Sequence, residues 1–386
     1  TNTVSRLDRE LGDQPEVEAD LRLTLGRTFR DLGDYPAATV MNRRALELRR
    51  KSPGGRHETV AQALNELSKS LNQQGNWAEA ETFQREALSI RKENLRPDDL
   101  LLADMYNDLG IILWNSGKLA EAREAYRQAL AIKEQRLMPP DYKLADAHLN
   151  LSALLLDLGD FSQGEAEARE ALGGYRAVFG GSHPRVGMAL HNQGKALGKL
   201  ARIEAAELAL RGALDVYRQV YAADHSYIAE ALDDLGQIQQ QKGDRTASER
   251  SFRESLEMAK RLLGENHPST LTAMRHLALL KASSPADPEA EQWIQRAVDL
   301  ARQRYSKQPA VMAITFDDWG QYLVRTGRPA EAVPVLLQAH QFAMDAKRSA
   351  FERQRLARQL GELYQELGKP QESKRWMTEA ERMPAE

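Results

Sequence analysis

The side chains able to do chemistry here are eight histidines and a surplus of carboxylates, with no cysteine. His57, His183, His225 and His267 fall in one register with a step of 42 residues, and Asp99 and Asp141 fill the two intervening steps. Imidazoles and carboxylates make a donor set for a divalent metal, but zinc ligands must all lie within ~2 Å of one ion. Equivalent positions in stacked units lie ~15–20 Å apart, two helix diameters. The ladder therefore reads as a device for starting helices, helped by the proline after His183 and His267, and no metal is expected. Asp233-Asp234 and Asp317-Asp318 could in principle share a proton as an acid and a base. They recur at one register, however, and read as solvated groove residues. No Gly-x-Gly-x-x-Gly, P-loop, Gly-x-Ser-x-Gly or His-Glu-x-x-His occurs, and the missing cysteine removes disulfides and thiolate nucleophiles. Neither catalysis nor a cofactor is expected.

A basic run over residues 41–56 sets Arg43, Arg44, Arg49, Arg50, Lys51 and Arg56 against Glu47. It could meet an acidic or phosphate partner. The favoured reading is a solvated helix end, where cations suit the C-terminal dipole. Asn150-Leu151-Ser152 has the form of a glycosylation acceptor but falls inside an expected helix.

The elements that must position these groups follow from an internal repeat. From Gly33, steps of 42 reach Gly75, Gly117, Gly159, Ala201, Gly243, Pro285 and Gly327, and a last step of 41 reaches Gly368. Seven residues before the anchors stand Gly26, Ser68, Gly110, Ser152, Gly194, Gly236, Ala278, Gly320 and Gly361, all small. Five and twelve residues after them the chain is again small, as at Ala38 and Ala45, Ala122 and Ala129, or Ala206 and Ala213. One residue before the small Gly or Ser comes a bulky apolar side chain in nearly every unit, such as Leu109 or Leu235. Two helices approach to ~8 Å only where facing side chains are small. The anchor then ends a first helix in a left-handed cap, and a second helix returns antiparallel. No unit can bury its apolar face alone, so units must stack. In the seventh unit Ser283-Ser284-Pro285-Ala286-Asp287-Pro288 replaces the glycine turn, with Asp287 as N-cap and Pro288 at the first helical position. Between Asp345 and Glu352 no His-Pro signature appears, and the flanking helices are expected to run closer to continuous.

Leu109-Gly110, Gly117-Lys118-Leu119, Ala122, Tyr126 and Ala129 resemble the tetratricopeptide repeat. The 42-residue period, with Gly181-Ser182-His183-Pro184 and Gly264-Glu265-Asn266-His267-Pro268, is similar to the longer form found in kinesin light chains and many bacterial proteins. The resemblance implies an all-α, right-handed α-solenoid of about nine helix hairpins over residues 17–386. Residues 1–16 are expected to be a remnant, with 3–11 as the tail of a second helix. The stretch from Arg6 to Val17 resembles the approach to repeat regions in large bacterial signalling proteins, notably Ser/Thr kinases. The chain is thus expected to be a fragment, the docking or sensory arm of a larger protein, or the regulatory region of an attached kinase or peptidase.

In that family the first helices line a concave face that binds protein or peptide. Its ladder here includes Asn65, Asn107, Leu149, His191 and Asp233, ten residues before the anchors, with Asp108, Asn150, Asn192 and Asp234 beside it. An amide offers donor and acceptor together, which suits an extended main chain; the same amides could equally bond helix to helix. Ile111, Trp114, Ala153 and Leu156 make the face locally apolar in the third and fourth units, where the second and sixth carry Lys69 and Asn72, and Gln237 and Gln240. The candidate binding residues are therefore Asn65, Asn107, Ile111, Trp114, Asn150, Ala153, Leu156, His191, Asn192 and Asp233. A net charge of −3 gives no general pull toward nucleic acid. No apolar run nears the ~18 residues of a membrane span, and a cytoplasmic setting is expected.

Overall fold

The computed structural model describes residues 11, 13–51, 58–282, 287–346 and 348–382. Among them the regular structure is eighteen helices with no strand. They belong to two compact units, 1–154 and 155–386. The first holds α1 (Pro15–Asp31), α2 (Tyr35–Lys51), α3 (Glu58–Gln73), α4 (Trp77–Asn94), α5 (Leu100–Asn115), α6 (Leu119–Arg136) and most of α7 (Tyr142–Leu158). The second holds the end of α7, then α8 (Phe161–Phe179), α9 (Pro184–Lys199), α10 (Ile203–Val220), α11 (Ser226–Lys242) and α12 (Arg245–Leu263). It continues through α13 (Pro268–Lys281), α14 (Pro288–Arg304), α15 (Pro309–Arg325), α16 (Pro329–Asp345), α17 (Ala350–Glu366) and α18 (Pro370–Arg382). Odd-numbered helices are the first helices of each hairpin. The expected helical tail over 3–11 lies almost wholly outside the described residues.

Each hairpin turns on its anchor. Gly33, Gly75, Gly117, Gly159, Gly243, Gly327 and Gly368 have φ between 70° and 88°, and Ala201 enters the same left-handed region at 56°. The next residue's N–H then reaches a carbonyl five residues back, as from Asp244 to Gln239 at 2.9 Å. That bond satisfies a carbonyl left over at the helix end. Pro285 lies outside the described residues. Beyond it Asp287 does cap α14, accepting from the Glu289 N–H at 2.9 Å, with Pro288 next. The expected near-continuity after Asp345 is not found. Helix α16 stops there, and Ser349 opens α17 by accepting from the Glu352 N–H.

The register of small residues works as a volume match. The residue seven before an anchor faces the one nine after it. A Cβ on Gly110 would lie 2.7 Å from the Tyr126 ring, on Gly236 2.6 Å from Phe252, and on Gly320 2.5 Å from Leu336. In the second repeat Ser68 instead donates a hydrogen bond to Gln84 at 2.5 Å. The alanines at the flanking positions, Ala38, Ala80, Ala122, Ala206, Ala213 and Ala332 among them, are fully buried.

Within each unit, first helices of successive repeats approach one another: α1 and α3, α3 and α5, then α9 and α11, α11 and α13, α13 and α15. Among the described residues the second helices make no comparable approach. The first-helix side is therefore the shorter, inner side of each unit. One contact in the second unit skips repeats. Phe351 of α17 meets Phe161 of α8 edge-to-face, with centroids 5.4 Å apart, and covers Gly159.

Candidate functional site

The histidine and aspartate register is an N-cap ladder. The Nδ1 atoms of His183, His225 and His267 accept from the N–H groups of Arg185, Tyr227 and Ser269, each at 3.2 Å. Asp99 and Asp141 do the same with carboxylate oxygens at 2.9 and 2.7 Å. His183 also stacks on Phe179 and His225 on Tyr221, with centroids 4.0 and 3.7 Å apart. His57 lies outside the described residues. Among the described residues no three potential metal ligands come together, and no helix is long and apolar enough to cross a membrane. Arg56 of the basic run lies outside the described residues; of its other five cations four are engaged, Arg43 with Glu79, Arg44 with Glu47, Arg49 with Asp20 and Arg50 with Glu86.

On the inner side of the first unit, Asn65 lies on α3, Asn107, Ile111 and Trp114 on α5, and Asn150 and Ala153 on α7, all half-buried. Asn150 Nδ2 donates to Asn107 Oδ1 at 2.8 Å. The partners are 43 residues apart because a residue ten before one anchor faces the residue nine before the next. That bond uses one donor and one acceptor of the pair. Among the described residues Asn107 Nδ2 and Asn150 Oδ1 have no hydrogen-bond partner, and neither is shut away from solvent. Asn65 differs, since its Oδ1 is buried and unbonded. Trp114 lies edge-on to the buried Tyr126 ring, with centroids 6.5 Å apart, so part of its indole belongs to the core. The matching positions in the second repeat are polar and paired, Lys69 with Asp108 at 2.9 Å and Asn72 with Asn115 at 2.9 Å.

In the second unit Leu156 lies at the end of α7 and Asn192 on α9, both half-buried, while His191 and Asp233 are buried. The 43-residue offset here carries charge. His191 Nε2 meets Asp234 at 2.7 Å, His276 Nδ1 meets Asp233 at 2.8 Å, and Arg275 pairs with Asp318. Arg355 closes the series on Asp317, and Gln237 donates to both Asp233 and Asp234 at 3.2 Å. The carboxylate pairs are therefore not solvated as expected. Asp233, Asp317 and Asp318 are at most 8% exposed, because the neighbouring repeat supplies each with a cation or imidazole. Burial pushes Asp234 up, but the Lys195 ammonium and the His191 bond overcome it and hold the carboxyl well below its ordinary range. Burial likewise lowers His276, and Asp233 more than restores it, leaving the imidazole above its ordinary value.

Beside this ladder is a recess of about 260 Å³ lined by His191 and Lys195 of α9, Glu230, Asp233 and Asp234 of α11, and Thr272 of α13. Lys195 and Glu230 lie outside the positions nine and ten before the anchors. Their signal is helical spacing, Lys195 four residues after His191 and Glu230 three before Asp233. Asp234 raises Lys195 against the cost of burial, and burial raises Glu230.

A tetratricopeptide repeat model matches residues 17–93, 59–135, 143–219, 209–261 and 227–303, and a second one matches 107–178. The chain belongs to the tetratricopeptide repeat family. No curated protein sequence matches it. Several solved structures share its fold at low identity. A Rap protein complexed with competence and sporulation factor superposes with a TM-score of 0.66 at 13% identity, covering 95% of this chain and 98% of that one. The apo quorum sensor NprR from B. thuringiensis gives 0.64 at 13%, covering 95% and 99%. The Rap conjugation gene regulator of the plasmid pLS20, in complex with the Phr* peptide, gives 0.58 at 15%, covering 84% and 89%.

Proposed function

We propose that this tetratricopeptide repeat chain binds an extended peptide segment along its first-helix side, as the docking or sensory arm of a larger protein. The observation that carries the reading is the Asn107–Asn150 pair. Each amide is fixed by the other, and together they present an open amide nitrogen, Asn107 Nδ2, and an open carbonyl oxygen, Asn150 Oδ1, on the inner side. A peptide main chain needs that combination whatever its sequence. Fixing the two amides beforehand also lowers the entropy lost on binding. Ile111 and Trp114 lie on the same helix as Asn107 and supply a half-open apolar surface beside it. Two of the similar folds, the Rap proteins, were solved with a bound factor or peptide.

The test uses fluorescein-labelled random nonapeptides and fluorescence anisotropy. Binding should weaken by about tenfold or more in Asn107→Ala/Asn150→Ala, corresponding to ~1.4 kcal/mol or more. Trp114→Ala should weaken it by ~2 kcal/mol and also lower stability through the lost Tyr126 contact. Unchanged affinity in the amide double variant, with the helical circular dichroism signal intact, would remove the basis of this reading.

A further inference from the structure

We infer that His340 is an acid-sensitive latch, which holds helix α18 on the eighth hairpin while its imidazole is neutral and releases it on protonation. The register marks the position as unusual. Thirteen residues after the anchor each of the first six repeats carries leucine and the seventh valine, from Leu46 to Val298. All seven are buried. The eighth repeat places His340 there, 8% exposed and so set about as deeply as the leucines. An aliphatic side chain in that seat ignores pH, whereas an imidazole changes charge within the physiological range.

His340 sits on α16 and faces both helices of the ninth hairpin. Its ring stands edge-to-face with Trp376 of α18, with centroids 5.0 Å apart. Its Nε2 is shut away from solvent and has no hydrogen-bond partner. A neutral ring tolerates that place, but an imidazolium would carry an N–H there that neither water nor protein satisfies. The charged groups facing it are Arg353 of α17 and Glu379 of α18. Burial above all, helped by Arg353, outweighs Glu379 and keeps His340 below its ordinary value of 6.5. Once α18 leaves, the ring meets water and that ordinary value returns. Docking is therefore complete above pH 6.5 and is lost as the pH falls below it, the opposite sense to His276. The hold to be overcome is slight. Of the 13 residues of α18, Ser373 and Ala380 alone are buried. Trp376 packs on the apolar cluster containing Leu336, Leu360 and Leu363, so release bares part of that cluster.

The test is hydrogen exchange of the full chain at about pH 7.5 and about pH 5, on either side of the ordinary histidine range. Rates are corrected for intrinsic exchange at each pH and read for the α18 and α14 amides. In the wild type, protection of α18 should fall about tenfold or more on acidification, with α14 little changed. His340→Leu, which restores the residue most other repeats carry, should remove the fall. His340→Met should do the same and guards against a packing fault in the leucine variant. Glu379→Gln takes away the facing group that favours the imidazolium and should deepen the fall. Equal protection of α18 at both pH values in the wild type would overturn the latch. An acid loss that persists in both His340→Leu and His340→Met would overturn it too. So would a loss shared equally by α14, which would mark general acid unfolding.

Discussion

Gly236→Ala adds a methyl group where none fits. Its Cβ would lie 2.6 and 2.7 Å from two carbons of the Phe252 ring, against the ~3.5–4.0 Å of an ordinary contact. The ring would have to retreat by about 1 Å, and Phe252 is fully buried. Overpacking of this kind costs ~1–3 kcal/mol, and the better helix propensity of alanine returns up to ~1. The net loss should be ~1–2 kcal/mol. Phe252→Leu alone removes buried ring atoms and should cost a similar amount. Combined, the changes should cost ~1–2 kcal/mol less than their sum, since the methyl group occupies what the ring vacates. Unfolding of a repeat array need not be all-or-none, so the readout is hydrogen exchange of the α11 and α12 amides together with the thermal midpoint. Gly243→Ala is the control. Nothing lies within 4 Å of its Cβ, but φ is 88°, so it should cost ~1–2 kcal/mol through backbone strain alone and should not be relieved by Phe252→Leu. Additive effects of Gly236→Ala and Phe252→Leu would refute the volume match.

Ala122→Leu and Ala213→Leu, both fully buried between helices, should each cost ~1–3 kcal/mol, read from denaturant midpoints. Ala201→Gly should stabilise by up to ~1 kcal/mol, because relief of the left-handed strain slightly exceeds the added freedom of the unfolded chain; a lower thermal midpoint would contradict it. His276 is raised above its ordinary 6.5 by Asp233 and Asp318, against burial and Arg275. Its contribution is thus full below that ordinary value and fades as pH rises through the folded one. Thermal midpoints between pH 6 and 8 should fall more steeply for the wild type than for Asp233→Asn, and equal slopes would refute the linkage. A chain ending at Asn266 should stay helical by circular dichroism, since nearly all contacts join neighbouring repeats, although it loses the Phe351–Phe161 contact; complete unfolding would contradict the repeat account.

The hairpins were legible in the sequence because their determinants are local. A left-handed anchor, a small residue seven before it and alanines five and twelve after it act within one repeat, and Gly243, Gly236 and Ala213 take the places their register implies. The N-cap role of His183, His225 and His267 was legible for the same reason, each bonding an N–H two residues on. What tertiary structure decided was which side chains meet between repeats. Asp233 and Asp234 read as solvated because they recur with Asp317 and Asp318 at one groove-facing register, where a strict 42-residue step would set Asp233 between His191 and Arg275 and Asp234 between Asn192 and His276. Stacking instead offsets one first helix against the next by a single residue, so Asp233 finds His276 and His191 finds Asp234. The same offset joins Asn107 to Asn150 and seats Arg275 on Asp318. A one-residue offset turns a contact by about 100° around a helix, so periodicity places a residue on its helix while the packing of neighbouring helices chooses its partner.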